Sequence, residues 1–289
     1  MPIDVNAALA AAPTVREATW TERDVILYHL GLGAGVNSLD PAELGWVYEK
    51  NLRVPPTFAM VAGQGVSAGE TKPAGMNLPG IDIDLRRILH GGQSLALHAP
   101  IPAAGTATIS SRVADVWDKG KAAVIVLEQS AVDDEGNPLW TNSMQIWARG
   151  EGGFGGVAGP DVSSAVPERA ADKVLVSPTG PQQALVYRLS GDLNPLHADP
   201  EFATTAGFDR PILHGLASYG IVCKAVVDGL LDGDPDRMQS FSVRFAGSLY
   251  PGETLETAVW RDGNRLTLLA TCPERDGQPV LTHAVMEVR

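Results

Sequence analysis

The run YRLSGDLNPLHADP occupies residues 187–200 and is the most distinctive stretch of the chain. Its internal glycine and proline predict a tight, irregular loop, because glycine permits unusual backbone angles and proline interrupts regular hydrogen bonding. The loop brings a carboxylate, an amide and an imidazole close together in sequence, on Asp192, Asn194 and His197. A loop held on a rigid scaffold can present such groups to a pocket.

Asp192 and His197 are suited to proton transfer near neutral pH, since Asp and His have reference pKa values of roughly 3.9 and 6.5. Such a pair can activate a water molecule and deliver a proton to a carbon atom. The alternative is a turn whose side chains only bond their own backbone. A metal site including Asp199 is disfavoured, because only one histidine is present and the spacing fits no familiar zinc pattern. Asp199 before Pro200 instead predicts a helix N-cap.

A second candidate element begins at His214 and Gly215. Apolar residues at helical spacing predict a helix with one buried face over 214–231. Helix N-termini expose unpaired N–H groups and carry partial positive charge, so the Gly215 N–H is a candidate oxyanion donor. Close helix packing is the alternative role for this glycine. The apolar positions are Leu216, Tyr219, Val222, Cys223, Val226, Val227 and Leu230.

Short segments recur in the same order, which indicates a tandem duplication. We expect a helix after ILHG in both halves and a hairpin at WDKG and at WRDG. The larger separation of the later pairs predicts an insertion of about twenty residues in the second half, partly at 228–236. The pairs are ILHG at 88–91 and 212–215, WDKG at 117–120 and WRDG at 260–263, and GNPL at 136–139 and GQPV at 277–280.

The duplication predicts two α+β units, at 1–150 and 181–289. The segment 151–180, rich in Gly, Ser, Ala and Pro, is predicted to be a linker. Tryptophans in strand-like runs are expected to pack in the core or on the sheet. Strands are predicted at 182–189, 239–249, 253–260, 264–272 and 279–288.

The composition and net charge of the chain make some classes of binding partner less favourable than others. Of 289 residues, 44% are hydrophobic and 19% charged, with a net charge of −12. Such a surface disfavours nucleic acid and anionic lipid, and an anionic ligand such as coenzyme A would need a local basic patch. Cys223 and Cys272 lie outside any metal-binding pattern, so free buried thiols are expected. We expect neither a signal peptide nor a membrane span. Because the C-terminal SKL address of peroxisomal proteins is absent, we expect a cytoplasmic location.

The two motifs together resemble a family signature. YxxSGDxNPLH at 187–197, followed by FxxPILHGL at 208–216, is similar to the signature of MaoC-like dehydratases, the type 2 or R-specific enoyl-CoA hydratases. WTERD with YxxGxGAG in 20–35, ILHGGQ at 88–93, and VRF with YPGET in 243–254 resemble the two-unit members. The resemblance covers essentially the whole chain.

The resemblance implies a double hotdog fold, in which each half is a long helix wrapped by an antiparallel sheet and the two sheets join side by side. The first half lacks an Asp-x-Asn-x-x-His run before His90. One active site per chain is therefore expected, with the degenerate unit 1–150 making room for the acyl chain and the unit 181–289 catalysing the reaction. A homodimer is also expected.

The resemblance assigns roles to individual residues. It places the reacting water on Asp192 and His197, gives Asn194 the orientation of that water, and gives the Gly215 N–H the polarisation of the thioester carbonyl. Further substrate contacts are expected at Tyr187, His214, Glu49, His90, Gln93 and Arg244. A satisfied core or cap histidine is at least as good an interpretation of His90. Arg210, Lys224 and Arg244 are candidates for the coenzyme A phosphates, although a solvated surface charge is the better interpretation of any single one.

The expected activity is the reversible hydration of a trans-2-enoyl-CoA to the (3R)-3-hydroxyacyl-CoA, with no metal and no cofactor besides the coenzyme A of the substrate. A hotdog acyl-CoA thioesterase is one alternative, although it would not need the Asp-x-Asn-x-x-His loop. A non-catalytic subunit that binds acyl thioesters is another. Loss of enoyl absorbance from crotonyl-CoA separates the first from the others, and thiol release indicates the thioesterase.

Overall fold

The computed structural model describes residues 3–64, 78–83, 88–160 and 166–289. Its strands form one sheet in which all neighbouring strands are antiparallel. The strands are β1 (Thr14–Trp20), β2 (Ile88–Leu97), β3 (Gly105–Asp118), β4 (Ala122–Val132), β5 (Pro138–Arg149), β6 (Lys173–Pro178), β7 (Met238–Phe245), β8 (Thr254–Asp262), β9 (Arg265–Cys272) and β10 (Gln278–Val288).

The strand order is the same from either edge of the sheet. It is β1-β3-β4-β5-β2-β7-β10-β9-β8-β6, so β1 to β5 of the first unit mirror β6 to β10 of the second unit. The two units join where β2 pairs with β7, from Gly92 opposite Arg244 to Ala96 opposite Ser240. A duplicated α+β architecture with side-by-side sheets was expected from the sequence, and this topology has it.

The repeated turn segments form hairpins, as predicted. Trp117-Asp-Lys-Gly connects β3 to β4, and Trp260-Arg-Asp-Gly connects β8 to β9. Gly120 and Gly263 both have positive φ there, of 76° and 62°, a backbone conformation that glycine adopts without steric cost. The strands predicted at 239–249, 253–260, 264–272 and 279–288 correspond to β7 to β10.

The helices are short except for one. They are α1 (Val5–Ala10), α2 (Glu22–Gly31), α3 (Pro41–Val47), α4 (Gln183–Tyr187), α5 (Pro200–Thr205) and α6 (Gly215–Leu230). The sixteen-residue α6 is the helix predicted at 214–231, and it packs against β6, β7 and β10. It also contacts a 3-10 helix of the first unit, Pro56–Met60. A long helix was expected in each half, but in the described part of the first unit the longest helix is the ten-residue α2.

The two ILHG segments have different structures, so the prediction of a helix after each was wrong. Ile88–Gly91 lies inside β2, whereas Ile212–His214 is irregular and leads into α6. Because the two segments are not structurally equivalent, the predicted insertion near 228–236 has no support in the fold. The residues after the first ILHG pair with β5 and β7, and this pairing decides their conformation.

Two further segments differ from their prediction. The run 182–189 was expected to be a strand, but it forms α4 and the start of a 3-10 helix at Arg188–Ser190. Strand β6 lies inside the segment 151–180, so the second unit begins before residue 181. Among the described strands, β6 lies at the edge of the sheet and pairs with β8.

The largest cluster of buried hydrophobic residues contains members of both units. Trp20, Phe58 and Trp140 of the first unit belong to the same cluster as Tyr219 and Phe241 of the second. The cysteines of the second unit are both free and buried, as expected. Among the described residues, no helix is both long enough and apolar enough to cross a bilayer.

Candidate active site

The loop after α4 has the tight geometry that its sequence predicts. Gly191 has φ of +125°, and a Cβ there would lie only 2.3 Å from the backbone oxygen of Gln64. The loop therefore rests on the first unit at a point where only glycine fits. Asp199 ends the loop as the N-cap of α5, with its carboxylate accepting from the N–H groups of Glu201 and Phe202, which confirms the predicted cap.

Asp192 and Asn194 are held by local hydrogen bonds. The Asn194 N–H donates to Asp192 Oδ1 at 3.1 Å, and the Leu196 N–H donates to Asn194 Oδ1 at 3.0 Å. These bonds match the turn interpretation of the sequence, and within the described ranges Asp192 Oδ2 and the Asn194 side-chain NH₂ have no other hydrogen bond. The local turn and a polar site are therefore compatible.

His197 lies beside Asp192 in a defined protonation pattern. Its Nδ1 is 2.9 Å from the Ile212 carbonyl oxygen, which can only accept, so Nδ1 carries the hydrogen and Nε2 has a free lone pair. Nε2 is 4.0 Å from Asp192 Oδ2. Burial lowers the pKa of His197 against the opposing effect of the Asp192 charge, which favours the neutral imidazole. This separation is too long for a direct hydrogen bond and suits two groups that share one oxygen between them.

His214 contacts both of these residues. Its ring stacks on that of His197 with centroids 3.7 Å apart. Its Nε2 lies 3.2 Å from the backbone oxygen of Asp192 and therefore donates, while its buried Nδ1 has no partner among the described residues. Burial lowers the pKa of His214, and the adjacent His197 acts in the same direction. Tyr187 packs behind it, with ring centroids 4.8 Å apart.

Gly215 is the first residue of α6 and follows its N-cap, His214. The His214 carbonyl accepts from the N–H groups of Ala217 and Ser218. The N–H of Gly215 takes no part in these bonds, and the positive end of the helix dipole favours a partial negative charge beside it. A Cβ on Gly215 would lie 3.1 Å from the Phe245 ring, so this position has room for little more than glycine.

His90 on β2 places the first unit next to Phe245, which itself lies beside Gly215. The His90 ring lies 4.6 Å from the Phe245 ring between centroids, and its Nε2 is 3.1 Å from Gln93 Oε1. Burial lowers the pKa of His90 to about 4, while the charge of Asp192 acts weakly in the opposite direction. His90 thus has the satisfied ring nitrogen of a core histidine and also lies at the edge of the site. Gln93, on the same strand, is buried.

Glu49 and Arg244 are not brought to the site. Glu49 is exposed just after α3, where Trp46 donates to Asp228 near the C-terminal end of α6, about 20 Å from Gly215 along the helix axis. Arg244 alternates with Val243 of the core and Phe245 beside Gly215, so its side chain points to the opposite face of the sheet. Sequence motifs alone could not place either residue relative to α6.

Three groups near the site were not singled out from the sequence. They are the Ile212 carbonyl that orients His197, the Phe245 ring between His90 and Gly215, and the Gln64 backbone beneath Gly191. Phe245 could have been found, since it belongs to the VRF segment of the resemblance. Backbone groups such as the Ile212 carbonyl leave no sequence signal.

The site is a poor fit for a metal ion. Asp192, His197 and His214 each offer a ligand atom, and these atoms lie within 4.8 Å of one another. The two imidazole planes are only 26° apart and stacked, however, so their in-plane lone pairs do not converge on one point.

A cavity of about 510 Å³ lies elsewhere, near the C-terminal end of α6, and Arg53, Pro102 and Asp234 are among its lining residues.

Comparison with known proteins agrees with this architecture. Residues 19–150 match the family described as the MFE-2 hydratase 2 N-terminal domain, and residues 162–271 match the MaoC-like domain. The enoyl-CoA hydratase ChsH3 of Mycobacterium tuberculosis is 50% identical over 282 residues, with 98% of each chain covered. The chain belongs to the two-unit hydratase 2 family of MaoC-like proteins.

Solved structures support the fold. The crystal structure of a MaoC-like dehydratase from Phytophthora capsici has a TM-score of 0.88 and 29% identity, with 99% of each chain covered. A Mycobacterium tuberculosis protein described as a double hotdog fold has a TM-score of 0.56 at 12% identity, covering 96% of this chain and 94% of its own. The expected double hotdog fold is confirmed.

Proposed function

We propose that the protein catalyses the reversible hydration of trans-2-enoyl-CoA to (3R)-3-hydroxyacyl-CoA. The observation that carries the proposal is the 4.0 Å separation of Asp192 Oδ2 and His197 Nε2 beside the N-terminal residue of α6. Family membership and the 50% identical relative named enoyl-CoA hydratase point to the same reaction. The (3R) configuration rests on the family resemblance.

In the hydration direction, a water molecule bound between Asp192 and His197 attacks C3 of the enoyl thioester. Nε2 of His197 has the lone pair needed to accept a proton from this water, because Nδ1–H is held by the Ile212 carbonyl. The Asp192 carboxylate accepts the other O–H and thereby orients the oxygen, with Asn194 assisting. Return of the proton from His197 to C2 completes the addition of one water and restores the neutral imidazole.

Charge develops on the thioester oxygen as C3 is attacked. The Gly215 N–H at the start of α6 would donate to that oxygen, where the helix dipole also favours negative charge. Phe245 and His90 border the same position, so the first unit would form part of the wall around the acyl chain. This arrangement supports the division into one catalytic unit and one unit that makes room for substrate.

We further propose that the protein is a cytoplasmic homodimer that needs no metal or additional cofactor. Light scattering on the purified protein checks the dimer, and a mass of one chain would contradict it. Fractionation of the source cells checks the location. Dialysis against a chelator should leave the hydration rate unchanged, because the stacked imidazoles are poorly arranged to share an ion.

The direct experiment is hydration of crotonyl-CoA followed at the enoyl absorbance band. We expect loss of absorbance without release of free thiol, and chiral analysis should give the 3R product. Thiol release would instead indicate a thioesterase. Tight binding of crotonyl-CoA without turnover would indicate a binding subunit, and either result would reject the proposed hydratase.

A further inference from the structure

The acidic chain needs a local cation if it binds coenzyme A, because its net charge is −12. Three cationic residues were candidates for binding the coenzyme A phosphates, and the surroundings of two of them exclude this role. Lys224 Nζ is ion-paired at 2.8 Å to both Glu43 and Asp228, toward the C-terminal end of α6. The Arg244 side chain lies on the face of the sheet opposite Phe245, away from the site.

Arg210 is differently placed. It is exposed, and in the ranges that the structure covers no carboxylate lies within ion-pair distance of its guanidinium, including that of its neighbour Asp209. The guanidinium instead lies 4.9 Å from the centroid of the Tyr250 ring. A cation–π contact of this kind restrains the side chain while leaving its N–H donors free for an anion.

The segment that contains Arg210 also builds the active site. Two residues later, the Ile212 carbonyl holds His197, and the Leu213 N–H then donates to the Leu249 carbonyl at 2.7 Å. Gly215 is five residues after Arg210, so their Cα atoms are at most about 18 Å apart even in a fully extended chain. Arg210 is therefore within about 18 Å of the residue proposed to bind the thioester oxygen.

Tyr250 is itself held in place. Its N–H donates to Glu253 Oε2 at 2.8 Å, and Glu253 is ion-paired to Arg275 at 3.1 Å. The Arg275 guanidinium lies 5.2 Å from the centroid of the Tyr250 ring. Arg275 is thus paired with Glu253. The Arg210 guanidinium packs on the same tyrosine ring without a carboxylate partner among the described residues.

We propose that Arg210, supported by Tyr250, binds a phosphate of the coenzyme A part of the substrate. The proposal rests on the proposed function in one respect, that the ligand is a CoA thioester. It assigns this enzyme a preference for CoA thioesters over thioesters without phosphates. A guanidinium binds phosphate in a bidentate, charge-assisted manner, which gives geometric specificity as well as affinity.

The test compares steady-state kinetics on crotonyl-CoA, crotonyl-3′-dephospho-CoA and crotonyl-pantetheine. We expect Arg210→Gln to raise KM for crotonyl-CoA roughly tenfold with little change in kcat, and to leave kcat/KM for crotonyl-pantetheine unchanged. An effect on crotonyl-CoA alone would identify the 3′-phosphate as partner, and an equal effect on the dephospho compound would identify the diphosphate. Equal effects on CoA and pantetheine thioesters, or none, would overturn the proposal.

Matched variants separate a local contact from a general charge effect. Arg112→Gln removes one positive charge from an exposed pair with Glu128 on β3 and β4, and we expect no change in KM. An equal rise in KM for Arg112→Gln would contradict a specific contact. Tyr250→Leu should also raise KM, but by less than Arg210→Gln does. The Arg210 guanidinium would lose its contact with the aromatic ring but would still be present to bind the phosphate.

Calorimetry with free CoA makes the inference independent of turnover. We expect the Kd of the Arg210→Gln variant to rise roughly tenfold and the wild-type Kd to rise with added salt. An unchanged Kd in the variant would overturn the proposal even if hydration is observed. Arg210-dependent CoA binding by a wild-type protein that hydrates no enoyl thioester would reject the hydratase function and leave this subsite standing.

Discussion

The ring of His214 stacks on the ring of His197 at 3.7 Å between centroids, and its Nε2–H donates to the backbone oxygen of Asp192. A single buried side chain therefore holds both the backbone of the proposed acid/base loop and its imidazole. Because His214 is also the N-cap residue of α6, it links the loop to the helix that carries Gly215.

Substitution of His214 should affect catalysis through geometry. His214→Phe keeps a stacking ring and loses the bond to Asp192, so we expect kcat to fall by up to about 10²-fold. His214→Gln keeps a donor and loses the stack, and it should let water reach His197 and move the acid limb of the pH profile upward. Wild-type kcat and an unmoved pH profile in both variants would show that the contact has no role in positioning.

Removal of either member of the proposed pair should abolish hydration. We expect Asp192→Asn or His197→Gln to lower kcat by on the order of 10²–10⁴-fold, because each loses a positioned proton-transfer group. Asp199→Asn is the matched control in the same loop, since asparagine also caps helices and Asp199 only caps α5. Thermal unfolding should be similar in all three variants. Near-wild-type kcat in either member of the pair would refute its role.

Gly191 and Gly207 allow a test of loop placement. Both have positive φ, of +125° and +90°, but only at Gly191 would a Cβ meet the Gln64 backbone. We expect Gly191→Ala to cost about 1–3 kcal/mol in the free energy of unfolding and to lower kcat/KM sharply, because the loop must shift. No atom of the residues that the structure describes lies within 4 Å of a Cβ at Gly207, so Gly207→Ala should show the backbone strain without the loss of activity. Equal activity in the two variants would argue against the Gln64 contact.

The pH dependence of activity should follow His197. Burial lowers its pKa below the ordinary value of 6.5, and the neutral form is the one that can accept a proton from water. The acid limb of kcat/KM for crotonyl-CoA should therefore lie below pH 6.5, with activity lost as the pH falls through it. An acid limb above pH 6.5 would be inconsistent with a buried, neutral His197 as the base.

The stability of the protein should decline in mild acid. His29 is fully buried, and burial lowers its pKa to about 3, so between pH 6.5 and 3 the unfolded chain binds a proton that the folded chain does not. The free energy of unfolding should be highest above pH 6.5 and fall by about 1.4 kcal/mol per pH unit from this residue. Urea titrations at several pH values should show a shallower decline for His29→Gln. An identical slope in wild type and variant would contradict this account.

The sequence was most informative where local chemistry decides the structure. The Asp199-Pro200 cap, the helix after His214 and the glycine turns at Gly120 and Gly263 were all predictable from short-range preferences. The three-residue spacing of Asn194 and His197 placed them in one loop. Long-range relations were not predictable in this way, including the contact of Gly191 with the Gln64 backbone.

The ILHG repeat shows where local similarity fails. The four residues are identical at 88–91 and 212–215, yet one copy continues a strand and the other precedes a helix. After the second copy, apolar residues have helical spacing, whereas the first is followed by GQSLALHAP, whose Gln93 and Leu95 are buried on one face of β2. Pairing with β5 and β7 then completes that strand. Context outside the tetrapeptide decides its conformation.

The seam between β2 and β7 makes the two halves of the chain inseparable. If the chain were divided before β6 and either half were expressed alone, the edge of β2 or of β7 would be left unpaired. Exposed strand edges of this kind promote aggregation. The same cut would take His90 away from Phe245. The unit without the acid/base loop is therefore expected to be needed for the solubility and folding of the unit that carries it.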